Sequence, residues 1–220
     1  MAKPLNIAVF ASGRGSNFQA ILESVDKKIL DVTIKVVITD NPEAKVLTLL
    51  DSREEIAVRI VDRKQCASRA DFEAKILRHL ADFELDLIVL AGFMRILSAD
   101  FVNHFAHKII NIHPSLLPAF PGLHAQKQAL EYGVKFAGCT VHFVNHEVDG
   151  GAIILQAVVP VLDDDTEATL SARILAQEHR ILTQAISLLG QGKLQQNNRK
   201  IMIRREDEFH ECMSSKTGVN

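Results

Sequence analysis

Leu5-Asn6-Ile7-Ala8-Val9-Phe10-Ala11 runs straight into Ser12-Gly13-Arg14-Gly15-Ser16-Asn17, and apolar residues then recur at Phe18, Ile21, Leu22, Val25 and Ile29. This stretch decides the fold. An unbroken apolar run marks a strand buried on both faces. Spacing of i, i+3, i+4, i+7 and i+11 is one face of a helix. Strand, glycine turn and helix in this order open an α/β unit. The alternation continues with strands expected at Val32–Ile38, Ile56–Val61, Asp86–Ala91 and Ile109–His113. A helical stripe falls at Phe72, Ile76, Leu77 and Leu80. The expectation is an α/β fold with a mostly parallel, Rossmann-like sheet and helices on both faces.

Beyond Pro114 and Pro118 the texture changes. Ala137–Asn145 and Ala152–Val161 read as strands joined through Asp149-Gly150-Gly151, which favours an antiparallel pair and so an antiparallel C-terminal addition. Asp163-Asp164-Asp165-Thr166 starts a long helix, its acidic start suited to the helix dipole. Leu170, Ile174, Ile181 and Ile186 are among its apolar positions, and it ends near Leu189 before Gly190 and Gly192. From Gln195 the chain is polar except for Ile201-Met202-Ile203, which suggests a loose strand and a frayed end.

Composition narrows the class. The 220 residues are 47% hydrophobic and 24% charged, with 25 basic against 27 acidic side chains. That near-neutral balance argues against holding long nucleic acid by its phosphates. No apolar run approaches the roughly 20 residues of a membrane helix, and the N-terminus lacks a secretory pattern. Three scattered cysteines, Cys66, Cys139 and Cys212, point to a reducing cytoplasm rather than a disulfide scaffold. No metal-ligand spacing and no GxSxG elbow is present.

The glycine loop has two readings. It is a tight turn with an ordinary helix cap, or a cradle in which glycines let the backbone approach a phosphate monoester at a helix start. Phe18 occupies the third glycine position of a dinucleotide fingerprint, which disfavours a nicotinamide site. Arg14 reads as solvated. A second constellation lies at the end of the Ile109–His113 strand. Alternation puts Asn111 and His113 on one face, where an amide can donate to an oxyanion and an imidazole can move a proton. Asp149, in the Asp-Gly-Gly turn, would orient that ring if the two meet. Singly, each of these is better explained as a cap, a satisfied histidine and a turn. Cys139 reads as a small buried residue.

Several segments, taken together, resemble the folate-dependent glycinamide ribonucleotide formyltransferases: SGRGSN (Ser12–Asn17), LAGFMRILS (Leu90–Ser98), NIHPSLLPAFPGLHA (Asn111–Ala125), GCTVHFV (Gly138–Val144), VDGGAIILQ (Val148–Gln156) and AQEH (Ala176–His179). The resemblance implies a single formyltransferase domain over residues 1–194. Its N-terminal half would bind the ribonucleotide and its C-terminal half the folate, with residues 195–220 a divergent tail. It implies formyl transfer from 10-formyltetrahydrofolate, a co-substrate rather than a tightly bound cofactor, to the amine of the ribonucleotide. It implies a catalytic trio of Asn111, His113 and Asp149. Gly15, Ser16 and Asn17 would hold the phosphate and Glu178 the ribose. Arg69, Met94, Arg95, Ile96, Leu97, Asn111, Asn145 and Asp149 would meet the folate, with His142 a further pocket residue and 145–149 closing over the pterin. Partners would be small molecules only, with no nucleic acid and no membrane, and the chain a monomer or homodimer in the cytoplasm.

Three other functions compete with it. A 10-formyltetrahydrofolate hydrolase would carry an N-terminal regulatory domain, for which the strand starting at Leu5 leaves no room. A methionyl-tRNA formyltransferase would need a C-terminal domain larger than the tail. A non-catalytic nucleotide-binding module would use the glycine loop and leave the trio idle.

Overall fold

The structure, a computed structural model, describes residues 3–204. Nine strands form one sheet among them: β1 (Leu5–Phe10), β2 (Val32–Thr39), β3 (Ala57–Ile60), β4 (Leu87–Leu90), β5 (Ile109–His113), β6 (Phe136–Phe143), β7 (Ile153–Pro160), β8 (Leu194–Asn197) and β9 (Lys200–Ile203). Their order is β3-β2-β1-β4-β5-β6-β7-β9-β8. Pairing is parallel from β3 to β5, and β6 lies antiparallel to both β5 and β7. The expected mixed α/β architecture is therefore the observed one.

Alternation along the strands sorts side chains into two cores. Ile7, Val9 and Ala11 face the side covered by α1 (Ser16–Asp26), α4 (Ala125–Tyr132) and α5 (Glu167–Gly190). Ala8 and Phe10 face α2 (Arg69–Leu80) and α3 (Ala99–His104). Both faces of the central strands are thus dry, which is why their sequence is apolar without a polar beat. In β2 the register slips, with Ile34 opposite Ile7 but Val36 opposite Ala8. Lys35 is the extra residue, and Val32 and Ile34 share a face with Val37 rather than with Val36.

Several boundaries differ from the periodicity. Helix α1 stops at Asp26, and Lys28 adopts a left-handed φ of 56°. The chain leaves the helix axis there, so Ile29 is 71% exposed instead of continuing the apolar stripe. Helix α5 begins at Glu167, not at Asp163. Thr166 and Thr169 form a reciprocal capping box, which leaves the acidic run outside the helix. Asp165 pairs instead with Arg173 at 2.7 and 2.9 Å, and that guanidinium holds its carboxyl well below the usual range. The helix runs through Gly190 before it ends. The polar region after Leu194 forms a hairpin rather than one loose strand. β8 and β9 pair antiparallel, and β9 joins the sheet where Lys200 lies opposite Ile153. The end that the sequence suggests is frayed, and Cys212, lie outside the described residues.

Candidate active site

Strand order reverses between β1 and β4, and ligands of open α/β sheets bind outside the carboxyl ends of the strands at such a point. Three segments leave the sheet there: the glycine loop after β1, residues 92–97 after β4, and the residues that follow β5. The first two are laced together. Ser12 N–H donates to the Gly92 carbonyl at 3.2 Å, and Met94 N–H donates to Ser12 Oγ at 2.9 Å.

Gly15 sits before α1 with φ 78°. A Cβ there would lie 2.7 Å from Val46 Cγ2, so both the backbone angle and the packing require glycine. Replacing it with alanine is expected to cost about 2 kcal/mol or more, read as a lowered urea midpoint. Among the described residues no side chain caps the first N–H groups of α1, and such amides suit an anion. Arg14 is exposed, as expected for a solvated residue. Asn17 is buried, and its Nδ2 donates to Glu178 Oε2 at 2.7 Å across α1 and α5. Its Oδ1 has no hydrogen-bond partner among the described residues. Burial pushes the Glu178 carboxyl up, and the Asn17 hydrogen bond opposes this only in part. Glu178 is thus no solvated helix-face residue.

Asn111 and His113 emerge from β5 on the same face as Ile109, with Ile110 and Ile112 on the other. Register places His142 of β6 directly opposite Asn111. His142 Nδ1 meets the Phe143 carbonyl at 2.8 Å, which assigns its proton to that nitrogen and leaves Nε2 to accept from Asn111 Nδ2 at 3.2 Å. Asn111 keeps a second N–H for a ligand. Asp149 arrives from the β6–β7 connection with a left-handed φ of 52°. Its Oδ2 lies 3.3 Å from His113 Nδ1 and accepts the Gly122 N–H at 2.8 Å, while Oδ1 is 3.7 Å from His142 Nε2. Chain folding thus brings the trio together.

The electrostatics of the pair follow from burial and partners. His113 Nε2 lies 2.9 Å from the Phe120 carbonyl. Burial pulls the imidazole below its ordinary pKa, against the opposing pull of that carbonyl and of Asp149. Burial alone would raise Asp149, but its hydrogen-bond and charge partners, the Gly122 N–H among them, hold it below the usual carboxylate range. The carboxylate is charged at neutral pH. Cys139 is fully buried, with its thiol pushed up to about 12 by burial, so it is no nucleophile.

Asn111, His113, His142, Asn145 and Asp149 line one cavity of about 430 Å³ together with Met94, Arg95, Ile96 and Leu97. Val144, Val148 and Leu123 add apolar surface. Arg95 Nε pairs with buried Asp40 at 2.5 Å, which aims the guanidinium along the cavity rim. Arg69 is not among the lining residues; its Nε pairs with Glu73 at 3.2 Å.

Other contributors carry weak sequence signals. The Phe120 carbonyl and Gly122 amide are backbone groups, so nothing in residue identity marks them. Thr140, opposite His113, donates from Oγ1 to the Ser115 carbonyl at 2.7 Å and accepts the Leu117 N–H at 3.1 Å. Gln156 Nε2 braces Leu117 from β7 at 2.9 Å. These bonds hold the segment that carries Phe120 to His113. Nothing in the sequence marks buried Asp40 or Glu73 as a partner of the 95–98 segment, although Asp40, after the second strand, stands where a ribose-binding acid of a dinucleotide site would.

This arrangement, an amide, an imidazole and a carboxylate converging on a cavity with apolar walls, together with a helix start whose amides are uncapped, suits acyl transfer between two substrates. A family model described as formyl transferase matches residues 5–186, and the chain belongs to that family. It is 42% identical to the phosphoribosylglycinamide formyltransferase of Escherichia coli over 191 residues, 86% of this chain and 89% of that protein. It is 45% identical to the trifunctional purine biosynthetic protein adenosine-3 of Gallus gallus over 87% of this chain, but spans only 19% of that longer protein. The crystal structure of glycinamide ribonucleotide transformylase 1 from Symbiobacterium toebii superposes with a TM-score of 0.89 at 45% identity, covering 93% of this chain and 96% of that one. A formyltetrahydrofolate deformylase from Pseudomonas syringae superposes at 0.84 but with 27% identity, over 93% of this chain and 67% of that one.

Proposed function

We propose that this chain transfers the formyl group of 10-formyltetrahydrofolate to the amine of glycinamide ribonucleotide, giving the N-formyl product and tetrahydrofolate in purine synthesis. The observation that carries the reading is the convergence of Asn111, His113 and Asp149 on the wall of the cavity bounded by residues 94–97. Family membership supports a folate-type co-substrate, and the similarity to ribonucleotide formyltransferases over nearly their full length supports the acceptor. Among the described residues no helix is long and apolar enough to cross a membrane. The substrates are small molecules, and the buried free thiols Cys66 and Cys139 suit a reducing cytoplasm.

The substrate amine attacks the formyl carbon, and the carbonyl oxygen becomes an alkoxide. Asn111 donates its free N–H to that oxygen. The proton lost from the attacking nitrogen passes by His113, Asp149 and water to the departing folate nitrogen, so no covalent enzyme intermediate is required. Gly15, Ser16 and Asn17 hold the phosphate through the open amides of α1. The unpartnered Asn17 Oδ1 is an acceptor, so it suits a ribose hydroxyl, which it shares with Glu178. Met94, Arg95, Ile96, Leu97 and Asn145 flank the folate, with Arg69 at its outer end. In this assignment residues 1–194 form the catalytic unit.

Spectrophotometric loss of the formyl group, with and without the ribonucleotide, tests the function. Loss that depends on the ribonucleotide is expected. Equal loss without it would make water the acceptor and the chain a hydrolase, and no loss from folded protein would leave a binding module.

Glu178→Gln separates function from stability. The folded carboxyl has a raised pKa, so its charged form costs stability as pH rises through that value. The amide keeps the acceptor for Asn17 and removes the charge. The melting temperature of the ligand-free variant is expected to rise at neutral pH, with the gain fading in acid. The ribonucleotide KM is expected to rise about tenfold, since a hydrogen bond to a charged group is worth about 1.5–3 kcal/mol. An unchanged KM would remove Glu178 from the ribose site.

A further inference from the structure

Residues 94–97 form the cavity wall without belonging to a helix or strand. Among the described residues the backbone of Arg95, Ile96 and Leu97 makes no hydrogen bond to the protein. The shape of the wall therefore depends on how its two ends are held. At the near end, Met94 N–H is held by Ser12 Oγ. At the far end stands Ser98, the N-cap of α3, whose Oγ accepts the Phe101 N–H at 3.1 Å.

Ser98 is in turn held by a buried carboxylate. Glu73 of α2 is 6% exposed. Its Oε1 accepts the Ser98 N–H at 2.7 Å, and its Oε2 accepts from Ser98 Oγ. Oε1 also accepts from Arg69 Nε at 3.2 Å. A carboxylate taken out of water is costly unless charge-assisted donors replace the water, and here three do. Engagement through Nε leaves the two terminal nitrogens of Arg69 without a protein partner among the described residues. One side chain thus joins the far end of the wall to an arginine that does not itself line the cavity.

We infer that Glu73 is a positioning residue for the folate side of the site, fixing the Met94–Leu97 wall at Ser98 and orienting Arg69 beside it. The inference rests on the assignment of this cavity to the folate. A tie that merely bonded α2 to α3 would lower stability and leave the two substrates equally well bound. A positioning residue instead affects one substrate, because displacement of a binding wall by about 1 Å can cost up to about 100-fold.

The test compares Glu73→Ala and Glu73→Gln with Leu77→Ala, which trims a partly buried core contact on the same helix. In Glu73→Ala the folate KM is expected to rise about tenfold or more, with the ribonucleotide KM within about twofold of the parent. Glu73→Gln can still accept the Ser98 N–H but loses the charge facing Arg69, so an intermediate rise is expected; it also serves if the alanine variant does not fold. Leu77→Ala is expected to lower the melting temperature without moving the folate KM. Amide hydrogen exchange of ligand-free protein gives a readout independent of turnover, with faster exchange across residues 94–98 in the Glu73 variants alone. Parent protein that shows no ribonucleotide-dependent transfer would overturn the proposed function, while faster exchange would still support the anchoring. An active parent with an unmoved folate KM in both Glu73 variants, or an equal rise in Leu77→Ala, would overturn the inference. So would unchanged exchange across 94–98.

Discussion

His113→Ala is expected to lower turnover by about a thousandfold while the dissociation constant of the ribonucleotide stays within a few fold. A positioned acid–base group contributes typically about 10²–10⁴ in rate, and a thousandfold loss is about 4 kcal/mol of transition-state stabilisation. Binding is spared because the proposed role of the imidazole lies in the chemistry, whereas the ribonucleotide is assigned to the helix start at Gly15–Asn17. Structural damage is also limited. Among the described residues the ring's polar partners are the Phe120 carbonyl and Asp149, and Thr140 and Gln156 brace the 115–117 segment independently. Steady-state kinetics with calorimetric binding of the ribonucleotide check this result. Unchanged turnover in folded variant would remove His113 from the chemistry.

Asp149→Asn is expected to lower turnover about 100-fold or more and to shift the titration of His113 further down. Asparagine tolerates the left-handed φ that Asp149 adopts, and its Oδ1 still accepts the Gly122 N–H, so the loop survives. What disappears is the negative charge facing His113 Nδ1, one of the influences that raise the imidazole pKa against burial. The sign follows. The folded ring already titrates below its ordinary value, and losing the carboxylate leaves burial less opposed. Stability is linked to the same shift. As pH falls through the ordinary imidazole value, the unfolded chain takes up a proton that the folded ring refuses, so folding stability declines. That decline is expected to be steeper in the variant. Following the His113 ring resonances by NMR against pH tests the direction, and an equal or higher midpoint in the variant would contradict it.

Asn111 and His113 could be placed on one strand face because side chains alternate in any strand. His142 reads from the sequence only as a further pocket residue, because its relation to Asn111 depends on antiparallel register between β5 and β6. Glu178 shows the limit more sharply. Helical spacing alone makes it a surface acid, and only the family resemblance marked it. Its burial against Asn17 comes from α1 and α5 packing on the same sheet face.

By itself, the amino-acid sequence determined the fold class, the alternation of apolar strands and helices, the glycine turn before α1 and, through its motifs, the family. These are local matters, set by periodicity, by backbone freedom at glycine and by residue type at short range. Only tertiary contacts bring Asp149 to His113, put buried Glu73 on Ser98 and buried Asp40 on Arg95, and close residues 194–203 into a hairpin on the sheet edge. Each depends on contacts between residues far apart in the chain. Strand order and register create such contacts, and neither a residue's identity nor its spacing encodes them locally.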